Sequence, residues 1–228
     1  MMHQLISKKK YLIYLFFFIL LTTFNNLNIN KLDIFKIKEI DVFEDNSDNG
    51  LSIKKNVKKD LMFFKNKNIF FIDNNQIKSQ ILKNEWVSKF SIKKEYPSKI
   101  IVNLTKAIPI ANIMTDDKIF FVGSNFKLIK SNTLDKDLPN IFGSPNMRDF
   151  KNFINELELS KIDYRIISDY YYLKSKRWNI KTNDGILIKL PRNETVKFLD
   201  LANKLLKNKD IIIKDTIDLT VQNQIIVN

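Results

Sequence analysis

Cysteine is absent from the 228 residues, histidine occurs once, at His3, and glycine only four times. Without cysteine there is no disulfide framework, no thiolate zinc site and no thiol nucleophile. His3 precedes the first apolar run, so neither a Ser-His-Asp triad nor a histidine-based metal site has a histidine to use. Four glycines leave little from which to build a phosphate-cradling loop. With five prolines the chain is also neither collagen-like nor low-complexity. The lack of cysteine leaves the compartment open, because a chain with an adequate core needs no disulfide even where disulfides form. Acids are outnumbered, 25 against 38 Lys and Arg, for a formal net charge of +13. Such a balance admits nucleic acid. The lysines are spread along a Lys-, Asn- and Ile-rich chain instead of gathering on one motif, so no nucleic-acid partner is expected. A hydrophobic fraction of 44% supports a folded core, and the length suits one large domain or two small ones.

Lys8-Lys9-Lys10 is followed by an uncharged stretch, YLIYLFFFILLTTF, and the reading runs on to Leu27. Residues 11–27 are at the short end of a membrane-crossing helix. No small-x-small cleavage site follows, which favours an uncleaved anchor over a signal peptide. The lysines lie ahead of the span, placing residues 1–10 in the cytoplasm and the rest outside it.

Residues 36–43 alternate as a strand around Ile37, Ile40 and Val42, and 45–50 form a polar turn. Ser52 is placed to cap a helix carrying Ile53, Val57, Leu61 and Phe64 at helical spacing. Residues 68–73 read as a short apolar connector. Asp73 is placed to cap a second helix over 75–83. From Trp86 the pattern has period two through Ser88, Phe90 and Ile92, turns at Tyr96-Pro97, and resumes at Ile100, Val102 and Leu104. A three-stranded sheet with two helices on one face would bury all these stripes. After Pro109 come three short strands around IANIM, KIFFV and FKLIK. A punctuated loop follows at Leu138-Pro139 and Gly143. Ser144-Pro145 opens a helix carrying Phe150, Phe153, Ile154 and Leu157. Further strands are expected at 164–168, 170–174, 177–182 and 186–190. Asn193 precedes a helix over 194–207, and two last strands lie at 216–219 and Val221–Val227.

No catalytic constellation emerges. Asp116-Asp117 and Asp184 sit at hairpin turns, where Asp is favoured for local hydrogen bonding. Tyr170-Tyr171-Tyr172 has the look of a stacking platform, but such runs are more often ordinary strands with aromatics on both faces. No enzyme activity, cofactor, metal or small-molecule substrate is expected.

The ordered motifs resemble the FtsQ/DivIB family of bacterial cell-division proteins. They are Trp86-Val87, Lys93-Lys94, Tyr96-Pro97, Pro109-Ile110-Ala111, Leu138-Pro139-x-Ile141-x-Gly143, Lys176-Arg177-Trp178 and Ile217-Asp218-Leu219. The chain departs from the family at Lys106 (usually Glu), at Gly123–Phe126 (usually Asp-x-x-Gly) and at Thr220 (usually Arg), which weakens residue-by-residue transfer. The resemblance implies an α+β chain with a single N-terminal transmembrane helix. A POTRA domain of β-α-α-β-β order at 36–106 follows, then a mostly antiparallel β-domain with two or so helices at 107–228.

It also implies a non-enzymatic scaffold in the inner membrane at the division septum. Such a scaffold links early and late division proteins and binds FtsB- and FtsL-type single-span partners to control septal wall synthesis. The partner would add a strand to the last strand, Val221, Gln222, Asn223, Gln224, Ile225, Ile226 and Val227, with Arg177 supporting the interface by salt bridging. That strand carries neither proline nor charge, the usual protections of an edge. Alternatives are a strand that is internal or covered, a POTRA-bearing transport or outer-membrane assembly factor, and an anchored enzyme with a carboxylate site.

Overall fold

The computed structural model describes residues 8–24, 33–45, 52–221 and 224–228. The expected turn at 45–50 therefore lies almost wholly outside the described residues. The chain divides into two units, Met1–Lys83 with Phe90–Leu104, and Asn84–Lys89 with Thr105–Asn228.

The first unit opens with helix α1, Lys8–Phe24. Its 17 residues rise about 25 Å at 1.5 Å each. Tyr11, Leu12, Ile13 and Tyr14, successive positions that point to all sides, are exposed, so its apolar surface runs around the whole helix. Among the described residues no helix is long and apolar enough to cross a membrane. Residues 25–27 of the expected span lie outside the described residues.

The rest of this unit is built on a three-stranded sheet in the order β1-β3-β2, formed by β1 (Glu39–Asp45), β2 (Val87–Glu95) and β3 (Lys99–Lys106), with the first residues of β2 and the last of β3 counted in the second unit. Strand alternation sends Ile40 and Val42 of β1, and Ile100, Val102 and Leu104 of β3, into the core. Helices α2 (Lys54–Leu61) and α3 (Asn74–Ile81) meet that core with Val57, Leu61, Ile77 and Ile81. Across the sheet the Lys99 ammonium lies 2.8 Å from Asp41 and 3.4 Å from Glu39. Asp73 caps α3 by accepting from Asn75 N–H. Ser52 does not cap α2: its hydroxyl donates to Glu44 Oε2, which also accepts the Lys54 N–H. A carboxylate from β1 thus supplies the acceptor the helix start needs.

The second unit is built on a nine-stranded sheet in the order β12-β11-β10-β9-β8-β7-β4-β5-β6. Its first strands are β4 (Pro109–Thr115), β5 (Lys118–Gly123), β6 (Leu128–Ser131) and β7 (Asn140–Phe142). Then come β8 (Ile167–Tyr172), β9 (Trp178–Thr182), β10 (Leu187–Lys189), β11 (Thr216–Asp218) and β12 (Ile226–Val227). Most pairings are antiparallel; β4–β7, β7–β8 and β10–β11 are parallel.

Helices α4 (Met147–Leu159) and α5 (Thr195–Lys207) cover the sheet through an aromatic core. Phe153 stacks on Trp178 with centroids 4.9 Å apart, and Phe150 meets Tyr170 edge-on at 5.5 Å. Such pairs add about 0.5–1.5 kcal/mol each beyond burial. The cap of α4 is Asn146, accepting from Asp149 N–H, and not Ser144. Glu194, at φ 57°, precedes α5 in place of Asn193 and makes no side-chain cap.

Strand β7 occupies the stretch read as a loop. It ends at Gly143, where φ is 93° and an added Cβ would lie 2.2 Å from the Tyr172 carbonyl oxygen, so only glycine fits. The buried Asn112 side chain aligns β7. Its Nδ2 donates to the carbonyls of Asp135 (2.7 Å) and Leu138 (3.1 Å) and to Asn140 Oδ1, and its Oδ1 accepts from Asp135 N–H. The ladder continues from Asn140 Nδ2 to Asp169 Oδ1 on β8.

Candidate partner-binding edge

At one end of the nine-stranded sheet, β11 finishes in an Asx turn. Asp218 Oδ1 accepts from both the Thr220 N–H (3.0 Å) and the Thr220 hydroxyl (2.6 Å). On the far side of Asp218, Lys189 Nζ of β10 lies 3.3 Å from its other oxygen. Burial acts to raise the Asp218 pKa, but the Thr220 bonds and the Lys189 charge outweigh it and hold the carboxyl below its ordinary value.

The turn ends the ladder early. Gln224 N–H donates to Val221 C=O at 3.2 Å, and the chain rejoins β11 only at Ile226. The expected seven-residue last strand is therefore a two-residue one among the described residues. Gln222 and Asn223 lie outside the described residues.

The register fixes which backbone groups of β12 face outward. Asn228 and Thr216 exchange both N–H···O bonds, at 3.0 and 3.3 Å, and Ile217 then faces Val227 and Asp218 faces Ile226. Antiparallel pairs alternate between bonded and non-bonded. The N–H and C=O of Val227 thus point away from β11, along the outer edge of the sheet. Ile225 and Ile226 are 48% and 42% exposed and Val221 40%, so apolar side chains border that edge. Ile226 lies on the same sheet face as Asp218 and Lys189, and Val227 on the face of Ile217.

Arg177 is not on this edge. It sits in the tight turn before β9, where its carbonyl accepts from Leu173 N–H. The register places it level with about Gln224 but three strand spacings inward, roughly 14 Å at 4.8 Å each. Its side chain lines a cleft of about 350 Å³ with Asp149, Glu156, Tyr172, Lys176 and Arg192. There the Tyr172 hydroxyl donates to Asp149 Oδ2 at 2.7 Å. Burial raises the Glu156 carboxyl against a hydrogen bond from Thr195. The bracket of Asp218, Thr220 and Lys189 is absent from the sequence reading. Lys189 and Asp218 lie 29 positions apart, and only the parallel pairing of β10 with β11 brings them together.

Comparison with known proteins bears on both units. The family model for the POTRA domain, FtsQ-type, matches residues 35–106. The chain is 24% identical over 144 residues to the cell division protein FtsQ of Rickettsia bellii, covering 61% of this chain and 54% of that protein. It is 24% identical over 195 residues to the cell division protein DivIB of Clostridium tetani, covering 83% and 67% respectively. These matches span about half to two-thirds of the relatives' lengths. The solved extracytoplasmic domain of DivIB from Geobacillus stearothermophilus overlaps 48% of this chain and 98% of that domain, at 16% identity and a TM-score of 0.34. Residues 35–106 match the FtsQ-type POTRA domain, and the chain is similar to FtsQ and DivIB cell-division proteins.

Proposed function

We propose that this chain is a non-enzymatic, membrane-anchored scaffold of the bacterial division machinery. It binds FtsB- and FtsL-type single-span proteins by accepting a strand on β12. The observation that carries this reading is the open edge: the outward N–H and C=O of Val227, bordered by exposed Ile225 and Ile226. A strand added there gains backbone hydrogen bonds from the edge and specificity from the side chains beside it. Arg177, three strands inward, can act only on a partner that extends past the edge over the turn before β9.

Helix α1 supports the anchor. A helix apolar on every side from Tyr11 onward suits a lipid surround, and Lys8–Lys10 in its first turn favour a cytoplasmic N-terminus, with both folded units outside the cytoplasmic membrane. Its apolar part, Tyr11–Phe24, rises about 21 Å, short of a hydrocarbon core of about 30 Å, so an anchor there relies on local thinning and on snorkelling of Lys8–Lys10. Septal location and control of wall synthesis follow from the relationship to division proteins.

The test is capture of the FtsB-type partner of the same organism by the full chain in detergent. Val227→Pro removes an outward N–H while leaving the bonds of β12 to β11 intact, and is expected to weaken capture at least about tenfold. Undiminished capture by a folded Val227→Pro chain rejects the edge as the site.

A further inference from the structure

We propose that the first unit carries a lipid-docking patch, an aromatic cluster ringed by lysines that lies against an anionic membrane surface. This rests on the reading of α1 as a membrane anchor.

Three segments distant in sequence are stitched together at one place. Lys36 bridges Asn68, Ile37 N–H donates to Lys67 C=O, and Lys38 N–H donates to Ser98 C=O. On this frame Phe35 meets Phe70 edge-on at 5.1 Å, and Phe70 stacks on Tyr96 at 4.9 Å. The 3-10 turn Ile69–Phe71 sorts its apolar residues by side. Ile69 and the following Ile72 are buried, while Phe70 and Phe71 are turned out, 51% and 66% exposed. Tyr96 and Ile34 are more than half exposed as well. Isolated exposed apolar residues are ordinary on a protein surface; a contiguous aromatic stack with further apolar side chains beside it marks an interaction surface.

Charge selects the occupant. Residues 33–38, 65–73 and 93–98 hold six lysines against three acids. The acids are engaged locally: Asp33 with Lys36, Asp73 as the cap of α3, and Glu95 beside Lys93. Lys38, Lys65 and Lys67 are exposed in the same segments that supply the aromatics, and Lys67 Nζ lies 3.3 Å from the centroid of the exposed Phe63 ring. Aromatic rings with lysines beside them suit the headgroup level of a bilayer, and the lysines add electrostatic attraction to whatever anionic lipid that surface holds. Position favours the same surface. Ile34 follows Phe24, the last residue of α1, by ten positions, so the patch can lie no farther than about 35 Å of fully extended chain from the end of the span.

The chain has no cysteine, so a single introduced thiol reports one site. The full chain is reconstituted into vesicles of phosphatidylcholine with phosphatidylglycerol, carrying a fluorophore at Ile34→Cys or, as a control outside the patch, at Asn103→Cys on β3. Nitroxide-labelled lipid is the quencher, and carbonate extraction is run alongside. We expect quenching at Ile34 roughly twofold stronger than at Asn103, weakened by salt, by omission of phosphatidylglycerol, and by Phe71→Ser or Lys38→Glu, with circular dichroism unchanged. Extraction-resistant protein with equal quenching at the two sites overturns the patch and leaves the anchor standing. Extractable protein rejects the anchor, and Ile34 quenching by phosphatidylglycerol vesicles then decides the patch by itself. Quenching at Ile34 that appears only when another division protein is added overturns the lipid assignment in favour of a protein surface.

Discussion

The two edges of the nine-stranded sheet are managed differently. At one end, β6 carries the exposed Lys130 and closes in a turn, where the Ser131 hydroxyl donates to Thr133 C=O and accepts Thr133 N–H. Charge on a short strand and a prompt local turn are ordinary ways to discourage strand addition. At the other end, β12 carries Ile226 and Val227, follows Ile225, and has no charge among its described residues. One sheet thus blunts one edge and leaves outward backbone groups and apolar side chains at the other, so exposure of β12 is not a general looseness of the unit.

The largest effect expected from breaking this contrast is on binding. Val227→Pro should weaken partner capture by at least about tenfold, some 1.4 kcal/mol, in a titration. Lys130→Pro on β6 should leave capture unchanged. A partner equally sensitive to both would show that the edges are not distinct.

Next is the bracket behind β12. Asp218→Ala removes two hydrogen bonds from Thr220 and the Lys189 contact, and should cost the terminal hairpin about 1–2 kcal/mol. The readout is faster amide exchange at Thr216, with the amides of β5 and β6 unaffected. The same bracket predicts a pH response. The folded Asp218 pKa is lowered, so its contribution is fully present above the unfolded value of about 3.9 and is lost as pH falls through the lower folded value. Exchange at Thr216 should therefore accelerate in acid beyond its intrinsic pH dependence, and in Asp218→Ala it should not.

The smallest effect concerns Glu156, beneath the Arg177 cleft and away from both edges. Its folded pKa is raised by burial, so its ionised form costs stability as pH rises past about 4.3. Glu156→Gln should stabilise by under about 1 kcal/mol at neutral pH, given partial exposure, and by nothing below that range. Urea melts at two pH values check it, and capture should be unaltered.

How much of this was legible depended on where the controlling contacts lie. The POTRA elements could be read because each buries a stripe encoded within itself, as in Ile40 and Val42 of β1 or Ile77 and Ile81 of α3. β7 reads as a loop in sequence because its three residues lie between Pro139 and Gly143, and its pairing is dictated by Asn112, 28 positions before Asn140. Val221–Val227 reads as one long strand because it contains neither proline nor charge to mark a break, while the Asp218–Thr220 turn that shortens it is a side-chain event. Residues 68–73 look like a buried connector in sequence. Only the 3-10 geometry separates inward Ile69 and Ile72 from outward Phe70 and Phe71.

The position of β7 bears on the order in which the second unit assembles. The β4–β6 meander closes through neighbouring turns, whereas β7 joins that meander to β8 by two parallel pairings that local turns cannot supply. Pairings across long loops form late and slowly. The Asn112–Asn140–Asp169 ladder is then a checkpoint on register: a strand slipped by one residue would leave the Asn112 carboxamide without the partners that its burial demands. The open edge at β12 lies on the far side of that joint, so a chain that presents β12 on the complete nine-stranded sheet has already passed it.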